Sequence, residues 1–173
     1  MKYMSIFPFI KRTLRIFISV TITAILFAFL FGKIFLFGNV KETSMQPTVQ
    51  EGLVLGNRLA YEKREPKRGD LIIFRRGQTQ YVKRIVGMPG EDLQIWGGRV
   101  FIDDTCLPES YLPDNCLTEG DGLYHVPDGM YFVMGDNRDA SIDSRYTADP
   151  YVSRNAIEAK LLLYRGAVAS DND

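Results

Sequence analysis

Three short segments hold residues whose types and spacing suit chemistry. Ser44-Met45-Gln46-Pro47-Thr48 offers a hydroxyl beside a proline that fixes its own φ and restricts Gln46, so the backbone there is stiff. A serine nucleophile needs that rigidity, with an N–H available to a developing oxyanion. A plain Ser-x-x-Pro turn carries the same letters. Lys83 lies in Tyr81-Val82-Lys83-Arg84-Ile85-Val86, a β-branched and aromatic run. Strand alternation puts Lys83 on the face of Tyr81 and Ile85, where desolvation disfavours the ammonium and lowers the pKa. Bringing a lysine from about 10.4 to about 7–8 costs roughly 3–5 kcal/mol of burial, after which the neutral amine can take a proton from a hydroxyl. An ordinary edge-strand lysine would be written the same way. The third segment, residues 135–145, reads Gly-Asp-Asn-Arg-Asp-Ala-Ser-Ile-Asp-Ser-Arg. It crowds hydroxyls, carboxylates and guanidinia just after a strand, a density that suits the orientation of a catalytic group.

Other chemistries are poorly served. Lys+Arg and Asp+Glu are equal at 21 each, so no net basic character points to a nucleic acid. The single histidine, His125, rules out a histidine-rich zinc site, and Cys106 and Cys116 lack the short paired spacing of a zinc knuckle. His125 precedes a Pro-Asp-Gly turn and is given no catalytic role.

The elements that must position these groups follow from hydrophobic patterning. No charged residue occurs from Ile16 to Gly32, and apolar character continues past Lys33 to Phe37. As a helix, residues 16–37 span roughly 33 Å, enough for a hydrocarbon core of about 30 Å. Lys33 can snorkel toward the headgroups. Lys2, Lys11, Arg12 and Arg15 precede the span and predict a cytoplasmic N-terminus. The run is longer than a cleavable signal peptide's apolar region, and Phe35, Phe37 and Val40 stand where a small-x-small cleavage site would be. The expected organisation is therefore a short cytoplasmic tail (1–15), a transmembrane anchor in a lipid bilayer (16–37) and an outer domain (38–173). Outside the cytoplasm, Cys106 and Cys116 are expected to form a disulfide stapling a Pro-rich loop. The outer domain reads as mainly β. Strands are expected around 70–74, 81–86, 92–96, 99–102, 130–134 and 159–164, with Gly97-Gly98 as a hairpin turn. The fold predicted is a folded antiparallel sheet, barrel-like, on one N-terminal helix.

Together the segments resemble type I signal peptidases, the Ser-Lys family that includes bacterial leader peptidases and mitochondrial inner-membrane peptidases. The resemblance rests on Ser-Met-x-Pro-Thr at 44–48, Gly69-Asp70, the run Tyr81 to Glu91 and the run 135–145, in that order behind the anchor. It implies Ser44 as acylating nucleophile and Lys83 as general base, with Ser141 hydrogen-bonding and orienting the lysine. It further implies ion pairs Asp143–Arg145 and Arg84–Asp136, and shallow apolar pockets at Val40, Val82 and Tyr81. Substrates would be signal peptides of exported preproteins, ending in an Ala-x-Ala-like motif and bound extended along a strand edge at the outer face of the plasma membrane. No cofactor is implied. One position departs from the family: Glu42, two before Ser44, stands where a serine, threonine or glycine is usual. It is expected to turn to solvent or to pair with Lys41 or Lys33. A specialised or non-catalytic membrane-tethered relative is the alternative, and the self-cleaving repressor class with the same dyad is disfavoured by the anchor.

Overall fold

A computed structural model of the chain describes residues 7–165; residues 1–6, including Lys2 of the expected tail, and 166–173 lie outside the described residues. The chain opens with α1 (Phe7–Ile34), 28 residues and roughly 42 Å long, which is long and apolar enough to cross a membrane. Its side chains are exposed from Phe9 to Ile34. The hydroxyls of Thr13, Thr21 and Thr23 donate back to carbonyls four residues earlier and so stay satisfied inside the helix.

The helix does not run to Phe37 as patterning suggested. It starts earlier, taking in Lys11, Arg12 and Arg15, and it stops at Ile34. Phe35–Val40 is instead strand β1, fully paired with β2 (Gly52–Asn57) from Phe35↔Asn57 to Val40↔Gly52. Strand is favoured because β2 satisfies the backbone and Leu36 buries in the core. The Phe31 ring, 4.6 Å from that of Phe35 and 5.9 Å from that of Phe37, covers the junction.

Beyond β2 the regular structure of the described chain is almost wholly β. The strands are β3 (Leu71–Arg76), β4 (Thr79–Gly87), β5 (Asp92–Trp96), β6 (Arg99–Ile102), β7 (Thr105–Cys106), β8 (Gly122–His125), β9 (Met130–Met134), β10 (Tyr151–Ser153) and β11 (Ile157–Leu163). Two short 3₁₀ turns, Arg58–Tyr61 and Arg154–Ala156, complete the set. A seven-stranded sheet runs β1-β2-β11-β3-β4-β9-β10 and a four-stranded sheet runs β7-β6-β5-β8, with every pairing antiparallel. Gly97 and Gly98 turn β5 into β6 with φ of 59° and 79°, the positive values that a type I′ turn requires.

The core has three parts, and β3 explains why. Leu71 to Phe74 are all buried, so alternate side chains feed both faces of the large sheet. Ile72 and Phe74 join Ile85, Tyr131 and Val133 on one face. Leu71 and Ile73 join Leu36, Met45, Val49 and Val54 on the other. Phe132 and Met134 of β9 pack with Leu93, Ile95 and Val100 of the small sheet in the third. Each such side chain contributes about 1.5–3 kcal/mol on burial.

Cys106 and Cys116 are not bonded in the structure: both are free thiols, Cys106 exposed and Cys116 half-buried. The Pro-rich loop between them is secured by other means. Thr118 N–H donates to Gly98 O at 2.9 Å, Glu109 pairs with Arg138, and the Tyr111 ring lies 4.0 Å from the Arg84 guanidinium. A charge pair and an aromatic stack hold that loop with both thiols free.

Candidate active site

Ser44 opens a turn of residues 44–48 that is clamped from below. Met45 and Val49 sink into the core, and Val49 N–H donates to Met45 O at 2.8 Å. From the side, Asn137 N–H donates to Ser44 O at 3.1 Å and Asn137 Nδ2 to Thr43 O at 3.2 Å. The turn is thereby fixed against the 135–145 run on both backbone and side-chain levels. The Gln46–Pro47 bond within it is cis.

Lys83 comes from the middle of β4, opposite Ile72 of β3. It is 2% exposed and Ser44 is 7% exposed. Lys83 Nζ lies 2.6 Å from Ser44 Oγ, in hydrogen-bond contact. Burial pushes the amine below its ordinary value of 10.5; the charges of Asp143 and Glu42 work the other way without cancelling that effect. A hydroxyl thus sits beside an amine biased toward its neutral form, the arrangement that lets nitrogen accept the hydroxyl proton and oxygen attack a carbonyl.

Beneath the pair lies a cage of buried charge. Asp143 and Arg145 have side chains 0% exposed and form a two-point pair, Nε–Oδ1 at 2.9 Å and Nη2–Oδ2 at 3.0 Å. Arg145 also donates to Arg138 O at 2.8 Å and Glu119 O at 3.1 Å. Burial alone would raise the Asp143 carboxyl, yet the Arg145 bonds and charge, helped by Gly135 N–H at 2.9 Å, hold it below its ordinary range. Arg84 and Asp136 form a second two-point pair at 2.8 and 2.6 Å. Arg84 projects from the face of β4 opposite Lys83, so this pair braces the strand from behind.

Ser141 departs from the expectation that it hydrogen-bonds Lys83. Its Oγ is buried and forms no hydrogen bond of good geometry among the described residues, yet it lies beside Asp143 and helps to lower that carboxyl. It is wedged against Gly135: a Cβ built on Gly135 would fall 2.2 Å from Ser141 Oγ and 2.4 Å from Ser44 O. The hydroxyl therefore neighbours the Ser44 backbone, and only glycine leaves room for that approach.

Val40, Tyr81 and Val82 line a cleft of ≈ 230 Å³ together with Ser44, Lys83 and Glu42. Its walls are β1, at the edge of the large sheet, and the Gln80–Lys83 part of β4, which β9 leaves unpaired because their ladder begins at Arg84. Glu42 is exposed, borders this cleft and joins no ion pair among the described residues, so it pairs with neither Lys41 nor Lys33. His125 stands elsewhere, in an exposed pair with Asp92.

Several supporting residues have no local sequence signal. Arg138 is wholly buried and bound by Glu109 and Thr118, partners 29 and 20 positions away. The service of Asn137 to Ser44 spans 93 positions. Gly135 was legible as a strand end, not as the space-giver for Ser141.

Comparison with known proteins gives the chain a family. The family model described as signal peptidase, peptidase S26, matches residues 10–164. Signal peptidase I of Bacillus licheniformis is 36% identical over 154 residues, covering 82% of this chain and 78% of that protein. Signal peptidase I of Bacillus amyloliquefaciens is 34% identical over 141 residues, covering 75% and 74%. The crystal structure of a signal peptidase I from Enterococcus faecalis, 33% identical, covers 57% of this chain and 98% of its own, with a TM-score of 0.49. With a family match that takes in α1, the Ser44 turn, β4 and the 135–145 run alike, the chain belongs to the signal peptidases of the S26 peptidase family.

Proposed function

We propose that this chain is a membrane-anchored serine endopeptidase that removes signal peptides from exported preproteins, with Ser44 as nucleophile and Lys83 as general base. The observation that carries the reading is the 2.6 Å contact between a buried amine and a buried hydroxyl on the wall of an apolar cleft with open strand edges. A preprotein lies extended between β1 and β4, its small side chains against Val40 and Val82. Lys83 takes the Ser44 proton as Oγ attacks the scissile carbonyl, and the Ser44 N–H faces the oxyanion. Lys83 then returns that proton to the departing amine, which leaves as the mature N-terminus. The acyl-enzyme is split by a water that Lys83 deprotonates, releasing the signal peptide and restoring Ser44. Ser141 supports the lysine once it is charged, offering its oxygen to the new ammonium.

In the membrane, Lys11, Arg12 and Arg15 keep the start of α1 cytoplasmic and the β domain on the outer face, where cleavage sites emerge. The test is processing of an exported precursor in detergent by wild type, Ser44→Ala and Lys83→Ala. Loss of a base or nucleophile is expected to cost at least about 10²–10⁴-fold while both variants stay folded. Full activity in Ser44→Ala would end the proposal.

A further inference from the structure

Glu42 is a carboxylate on the wall of the cleft with no ion pair among the described residues, and its placement gives it a use. The cleft is not uniform. Its floor is apolar, with Val40, Val82 and Met45, whereas its mouth carries the exposed polar groups Asn39, Lys41, Glu42 and Gln80. An extended peptide between β1 and β4 alternates its side chains. The first and third residues of an Ala-x-Ala-like tripeptide face the apolar floor, and the middle one faces the mouth. Glu42 lies two residues before the nucleophile and borders the cleft at this mouth. Its charge reaches the site although the residue is exposed: it acts on the Lys83 amine in the raising direction, against burial.

We infer that Glu42 is a specificity residue, selecting preproteins whose middle residue in the tripeptide before the cleaved bond is basic, and disfavouring those with an acidic one. The inference rests on the signal-peptidase reading and narrows its substrate class. An aliphatic stem from lysine or arginine crosses the mouth, and its cation meets the carboxylate in a partly desolvated setting.

Three synthetic peptides that differ only at this position, Ala-Lys-Ala, Ala-Gln-Ala and Ala-Glu-Ala, are assayed with the full-length enzyme in detergent. Wild type is expected to favour lysine over glutamate by about three- to tenfold in kcat/KM at low salt, the scale of an accessible charge pair together with its repulsive counterpart. That ratio should collapse in about 1 M salt, where the screening length is about 3 Å. It should fall toward one in Glu42→Gln and invert in Glu42→Lys. Because the readout is a ratio within one enzyme, a general loss of activity leaves it interpretable, and the salt series needs no variant at all. Equal rates on all three peptides by wild type overturn the inference and leave the signal-peptidase reading standing. Cleavage of none of them overturns both.

Discussion

At Lys83 the account turns on a proton. Only the free amine can accept the Ser44 hydroxyl proton, so kcat/KM should rise with pH through a limb that reports Lys83. Burial lowers that group, which places the limb below an ordinary lysine's 10.5. Glu42 pulls in the raising direction, so Glu42→Gln should move the limb to lower pH in a rate profile on a neutral-site peptide. Ser141 gives a second test. Its oxygen forms no hydrogen bond of good geometry and lies beside the Asp143 carboxylate, so Ser141→Ala should leave the melting temperature little changed. If that oxygen receives the ammonium during turnover, processing should nevertheless fall by about ten- to a hundredfold, the worth of a hydrogen bond to a charged group. A drop in stability without a drop in rate would assign Ser141 to packing instead.

Among the elements, the 135–145 run is the keystone, because it contacts the nucleophile turn, both buried ion pairs and the Pro-rich loop at once. Gly135→Ala forces a methyl toward Ser141 Oγ and Ser44 O, positions 2.2 and 2.4 Å away. It should destabilise by about 1–3 kcal/mol and stop processing, seen by urea unfolding beside the precursor assay. Glu109→Ala leaves the buried Arg138 guanidinium without its carboxylate and should cost about 3–5 kcal/mol in the same unfolding measurement. The two positions also mark how far the sequence could be read. Strand β3 and the Gly97-Gly98 hairpin were legible because burial on two faces and paired positive φ leave local signatures. So were the nucleophile turn, the lysine strand and the 135–145 run, because their residues are adjacent in sequence. Strand β1 was hidden, since Phe35-Leu36-Phe37 extends an apolar helix without a break and only pairing with β2 reveals it. The Glu109–Arg138 clamp was hidden because 29 positions separate its partners, and a Pro-rich loop with two cysteines suggested a staple where the structure has the clamp and two free thiols.

On the scale of the whole molecule, α1 passes into β1 with no intervening loop, and β1 is one wall of the cleft. Six strand residues, about 20 Å, separate the helix end from the approach to Ser44. With α1 in a bilayer as proposed, a substrate emerging from the same bilayer would meet the cleft at high effective concentration. The three core clusters contain no residue of α1, so a chain lacking residues 1–33 should fold. It should still cleave short peptides but process membrane-embedded precursors markedly more slowly than the full chain, a contrast that vesicle-reconstituted assays can read. The central claim is tested most directly by mass spectrometry of enzyme quenched in acid during turnover of a signal-peptide substrate. The account predicts an adduct of the mass of the released N-terminal fragment, carried on the peptide that contains Ser44 and absent from Ser44→Ala. An adduct on another residue, or undiminished turnover by Ser44→Ala, would contradict it.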